Sequence, residues 1–150
     1  MFRLLLIFAS FLIVANCARQ TGEFIPYYQT ETSKPYDDVL SELEIAIAEN
    51  NFRVTGHSRV GKVIRERGAR NFPEYDTIQF CNLTHARHIL EIEPEAIRFM
   101  PCNVVMYQFK GKTVVRTHLL PEQSENEELN RFAAKMNVIL KGIVDFAVDE

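Results

Sequence analysis

The residues best equipped for chemistry are two cysteines, each followed by an asparagine: Cys81-Asn82 and Cys102-Asn103. Cys81 leaves one apparent strand and Cys102 starts another, with a helical segment between them. Two strand ends meeting at one edge of a sheet can bring both thiols together. Three outcomes are open. A disulfide needs α-carbons roughly 4.4–6.8 Å apart, and closing a loop of about 20 residues contributes on the order of 3 kcal/mol. Alternatively, each cysteine is a small buried hydrophobe. The third outcome is a functional pair that cycles in redox state, accepts sulfur or holds a soft metal such as copper(I).

His85 and His88 follow Cys81 by four and seven residues. Positions three apart share a helix face, so both rings can turn towards the thiols. A set of Cys81, His85, His88 and Cys102 would suit tetrahedral zinc, although the spacing matches no zinc signature. A Cys81–His85 dyad would be the one nucleophile and base within mutual reach, if the ring comes within hydrogen-bond distance of sulfur. Asn82 and Asn103 suit turns and caps, where short amides bind nearby backbone; otherwise they orient a ligand beside the thiols. Tyr75 and Tyr107 fit sheet packing, with a pocket-lining hydroxyl as the alternative. His57 and His118 read as ordinary strand residues. Arg59, Lys62, Arg65, Arg67 and Arg70 form a basic stretch, read as a solvated face offset by Glu66, Glu74 and Asp76, with contact to an anionic ligand or to anionic lipid headgroups as the alternative. The chain contains no nucleophile elbow, phosphate-cradling glycine loop or His-Glu-x-x-His. No cofactor is identified.

The elements that position these residues follow from periodicity and punctuation. Phe24 to Thr30 is a first strand, with Pro26 suited to a sheet edge. Ser33 is expected to cap a helix that presents Val39, Leu40, Leu43 and Ile47 on one face and stops at Asn50-Asn51. Phe52 to Val60 alternates as a half-buried strand, with Phe52, Val54 and Gly56 opposite Arg53, Thr55 and His57. The basic stretch then makes a short helix and loop, and Tyr75 to Phe80 a third strand. Thr84 to Glu91 is a short helix, buried through Ala86, Ile89 and Leu90. Asn103–Phe109 and Thr113–Leu119 pair through Lys110-Gly111-Lys112. A capping box at Ser124-Glu125-Asn126-Glu127 opens a closing helix that buries Leu129, Phe132, Ala133, Met136, Ile139, Leu140 and Ile143. The fold class is α+β: strand, helix, four strands, helix, mainly antiparallel, with helices on one face and a small helical insertion between the third and fourth strands.

The first sixteen residues read as a signal peptide. Arg3 precedes an apolar run from Leu4 to Ala15, shorter than the roughly 20 residues that span a bilayer. Val14-Ala15-Asn16-Cys17 is similar to the lipid-attachment motif of bacterial lipoproteins, with Asn16 a departure from the usual small residue. The expectation is an exported protein held to a membrane through lipidated Cys17, with cleavage near Ala18 without lipidation, or an uncleaved anchor, as the alternatives; residues 17–23 form a short tether and residues 24–150 a single domain. A net charge of −3 argues against non-specific binding to nucleic acid. With Cys17 modified, Cys81 and Cys102 remain as an even pair in an oxidising compartment.

Asn51-Phe52-Arg53-Val54, Tyr75 to Asn82 and Met100 to Tyr107 together resemble the family known as domain of unknown function 302, across Tyr36 to about Pro121. That resemblance implies a fold like the TATA-binding protein's, and pairing as a homodimer. Leu83 stands where the family often has proline, and branches without either cysteine imply that thiols are not essential to every member. Neither name nor fold supplies a function. The reading is therefore a non-enzymatic binding or redox-sensing module with a site at Cys81 and Cys102. The alternatives are a thiol or sulfur-handling enzyme using Cys81 with His85, and a structural dimeric adaptor.

Overall fold

The structure is a computed structural model that describes residues 26–149. The signal-peptide and lipid-attachment expectations fall on residues outside that range. In chain order the elements are β1 (Tyr27–Thr32), α1 (Tyr36–Glu49), β2 (Arg53–Arg59), α2 (Val60–Glu66), β3 (Tyr75–Cys81), α3 (Leu83–Ile92), a 3-10 turn (Pro94–Phe99), β4 (Cys102–Phe109), β5 (Lys112–His118) and α4 (Glu127–Val148). The strands form one sheet in the order β1-β5-β4-β3-β2, antiparallel at every ladder. The α+β class and the insertion between the third and fourth strands stand as expected.

One face of the sheet carries the core. Ile78 and Phe80 of β3, Val104 and Met106 of β4, and Val115 of β5 are all buried there. Register places them on one face, because directly paired residues point the same way and alternation reverses every second side chain. Val39, Leu43 and Ile47 of α1 and Ala133, Leu140 and Ile143 of α4 cover them, and the two helices pack side by side. The apolar stripe at helical spacing is what directs each helix onto the sheet.

Local chemistry explains the boundaries, with two corrections. Asn51 takes φ 59°, the left-handed conformation that ends α1. Lys110 and Gly111, at φ 49° and 78°, make the tight β4–β5 turn, in which two positive φ values match the twist of the paired strands. Ser33 does not cap α1. Pro35 stands at that position without a side-chain bond, its carbonyl accepting from the amides of Asp38 and Val39, while Ser33 Oγ accepts from Lys112 Nζ at 2.9 Å. Nor does Ser124 cap α4. Asn126 does so, its amide oxygen accepting from the backbone of Glu128 and Leu129. Ser124 instead ties down the preceding turn, bonding Asn126 O and Asn130 Oδ1.

A third correction concerns β2. A bulge between Val54 and Gly56 shifts its register against β3. Two residues then oppose one, so Val54 and His57 both face the helices despite standing three apart: Val54 pairs with Phe80, and His57 with Ile78.

Candidate functional site

Cys102 opens β4 directly opposite Phe80 of β3, and Cys81 ends β3 one residue farther on. Both thiols are half-buried and unbridged, so no disulfide is present among the described residues. They line a single pocket of about 30 Å³ together with His85, Phe52, Phe132, Met100 and Met136. Apart from Asn82 and His85, every lining side chain is apolar or sulfur-bearing. Among the described residues no buried side-chain nitrogen or oxygen lacks a partner, so the distinctive chemistry of this pocket is sulfur. Burial pushes the Cys102 thiol up to about 11, with the neighbouring Cys81 adding to the rise through charge repulsion. At neutral pH Cys102 is thus held in its thiol form.

Asn82 builds the corner beside Cys81. Its amide oxygen accepts from Thr84 N at 2.9 Å and His85 N at 3.1 Å, capping α3. Its amide nitrogen donates to Asn51 O at 2.9 Å, joining this cap to the end of α1. One side chain thereby sets where β3 stops and where His85 begins its approach to the pocket. On the far wall, Asn137 of α4 is buried and bonds both backbone groups of Leu120, at 2.8 and 2.9 Å. It also donates to Glu122 Oε1 at 2.7 Å. Leu120 lines the thiol pocket. This clasp was not anticipated; an asparagine at a core position of an amphipathic helix is the signal that points to it.

His85 and His88 do share one face of α3, and both rings lean on Phe132 of α4, at 6.2 and 5.4 Å. Only His85 lines the thiol pocket, and its ring also lies 5.9 Å from Phe52. His88 is exposed and lines a neighbouring groove. Among the described residues no three histidine, cysteine, aspartate or glutamate side chains are grouped to hold a metal ion, so the Cys81–His85–His88–Cys102 zinc set is not assembled.

The other expected site residues lie elsewhere. Asn103 is paired with Gln79, on the face of the sheet away from the helices. Its backbone carbonyl accepts from Thr117 Oγ1 at 2.8 Å. Tyr75 and Tyr107 are paired across β3 and β4 and their rings stack 5.5 Å apart with 5° between planes. They share the open face with Asn103 but sit towards the opposite end of the strands from the thiols. Their role here is cross-strand packing.

A second polar cluster occupies the far end of β3. His57 Nε2 lies 2.9 Å from Oδ2 of Asp76, which is 5% exposed. Tyr36 donates its hydroxyl to Met106 O at 3.2 Å; burial raises its hydroxyl pKa, and Asp76 and Glu74 add to the shift. Arg65 pairs with Glu74 at 2.5 Å and Lys62 with Glu66 at 3.9 Å. The basic stretch is offset as expected, except that Asp76 serves His57 instead. Asp76 and Cys81 stand five positions apart, roughly 16 Å along an extended strand, so this cluster is not part of the thiol pocket.

Comparison with known proteins agrees with this architecture. The family described as "Domain of unknown function DUF302" matches residues 28–147. No curated protein matches the chain. A crystal structure of an uncharacterized conserved protein DUF302 from Bacillus stearothermophilus is 22% identical, with a TM-score of 0.71 over 81% of this chain and 97% of that one. At that identity the likeness speaks for the fold alone. The match over most of its length places the chain in the family: it belongs to DUF302.

Proposed function

We propose that this member of the DUF302 family is a non-enzymatic binding or redox-sensing module whose site is the pocket shared by Cys81 and Cys102. The observation that carries the reading is the convergence of two free thiols and His85 on one small apolar cavity. Thiols so placed can report on oxidants by joining, or can hold a soft ligand between them. The environment separates their roles. Cys102, pushed up to about 11, resists ionisation, and Cys81, at the end of β3 where the chain turns into α3, is taken as the thiol that reacts first. Export and attachment to a membrane through lipidated Cys17 complete the proposal. That setting is oxidising, and in it an unbridged pair has something to sense. Among the described residues no helix is long and apolar enough to cross a membrane.

Alkylation of the full-length chain, read by intact mass and peptide mapping to separate Cys17, tests the reading. Labelling of Cys81 before Cys102, with protection of both after mild oxidation, is expected. Thiols that stay unreactive with and without reductant would refute it.

A second reading keeps the same pocket but makes Cys81 a catalytic nucleophile assisted by His85; their shared wall is the observation that favours it. Turnover of a thiol or sulfur substrate that persists in Cys81→Ser would exclude it.

A further inference from the structure

The thiol pocket has a neighbour. Between α3 and α4 runs a groove of about 290 Å³, and it shares His85, Phe132 and Met136 with the pocket. The two spaces differ in size and in chemistry. The pocket, at about 30 Å³, has roughly a tenth of the groove's volume, so it admits only a narrow group. The groove approaches the size of a small-molecule site, and its walls add His88, Arg131 and Lys135 against one carboxylate, Glu128. Arg131 does pair with Glu127, but at 3.6 Å with both side chains largely exposed. Such a pair contributes at most about 1 kcal/mol, and an anionic ligand can replace it.

A ligand that uses both spaces is narrow and compatible with sulfur at one end, and broader and anionic at the other. We propose that the groove binds a low-molecular-weight disulfide bearing carboxylates, and places one of its sulfurs against Cys81. The inference rests on the thiol-site reading and names its ligand class. The reaction is thiol–disulfide exchange. Cys81 loses its proton, and its thiolate attacks one sulfur of the ligand. A bond forms between Cys81 Sγ and that sulfur, the ligand's own S–S bond breaks, and the other half departs as a thiolate that takes up a proton. The ligand disulfide is the oxidant, so no further reactant is required. Apolar contact with Phe132 and Ile139 and charge contact with Arg131 and Lys135 hold the acidic body along the helices.

The test is the rate of mixed-disulfide formation on the reduced full-length chain, located by peptide mapping. Three probes are compared: oxidised glutathione, which is anionic; bis(2-hydroxyethyl) disulfide, which is neutral; and cystamine, which is cationic. Each rate is divided by that of an unstructured cysteine peptide, which removes intrinsic reactivity. The expected result is an advantage of about tenfold for oxidised glutathione at Cys81, the lower end of electrostatic steering. The advantage shrinks in high salt and in the Arg131→Gln and Lys135→Gln variants, both at exposed positions. Equal normalised rates for the three probes, an advantage for cystamine, or an advantage unchanged by the substitutions would overturn the ligand class while leaving a reactive site. Failure of Cys81 to react with any probe would overturn the thiol-site reading itself.

Discussion

Cys81 stands one residue beyond the Phe80–Cys102 pair of the β3–β4 ladder, and its thiol lines the same pocket as that of Cys102. Direct opposition across a ladder would place two side chains on one face in fixed contact. The one-residue offset leaves Cys81 at a strand end, where the chain is already turning into α3. The two thiols are thereby close without being forced together, and their surroundings differ.

That asymmetry gives a pH prediction. The folded Cys102 thiol titrates at about 11, above the ordinary 9.0. Between those values the unfolded chain has released a proton that the folded chain retains, so stability falls as pH rises through this window. The loss is on the order of 2 kcal/mol, since one pKa unit corresponds to about 1.4 kcal/mol. Urea unfolding at pH 8, 9.5 and 11 should show a steeper decline for the native chain than for Cys102→Ala. Parallel curves would mean that Cys102 does not titrate as described.

Asn82→Ala removes the α3 cap and the bond to Asn51 at once. A lost cap costs about 0.5–2 kcal/mol, so a fall in unfolding free energy within that range is expected. Asn82→Asp keeps the acceptor but not the donor and should fall between the two. The same substitutions should raise alkylation of Cys81, because the corner that holds it loosens. Unchanged stability in Asn82→Ala would show that the cap is not needed to start the helix.

His57→Ala leaves Asp76 buried without its 2.9 Å partner. An unsatisfied buried group costs about 1–3 kcal/mol, more when charged, and denaturant unfolding near neutral pH should register at least that loss. Thiol reactivity should not change, given roughly 16 Å of strand between the two sites. A rise in Cys81 labelling without loss of stability would contradict this separation.

Much of the fold was legible because its signals are local. The turn at Lys110-Gly111, the stop at Asn50-Asn51 and the apolar stripe of α4 each state their structure within a few residues. Competing local signals explain the misplaced caps. Ser124 and Asn126 both qualify as caps for α4, and what separates them is that Ser124 is taken up by Asn130. The His57–Asp76 pair was hidden for a different reason. Strict alternation sets His57 opposite Val54, and only the β2 bulge, which depends on pairing with β3, turns both to the helices. At the thiol site, doubling of the Cys-Asn pair at two strand ends was enough to foresee convergence. Tyr75 and Tyr107 pack across the sheet, as expected, whereas the alternative that set them and Asn103 beside the thiols fails, because proximity in sequence to a site residue says nothing about which face of a sheet a side chain takes.

The central claim is that Cys81 and Cys102 act as one site, and a trivalent arsenical tests this most directly. Phenylarsine oxide condenses with two neighbouring thiols, releasing one water and leaving both sulfurs on a single arsenic. The reduced full-length chain should take up one equivalent bridging Cys81 and Cys102, stable to excess monothiol, reversed by a dithiol, and lost in both Cys81→Ser and Cys102→Ser. Adducts that a monothiol strips away, or that survive either substitution unchanged, would show that the two cysteines do not form a shared site.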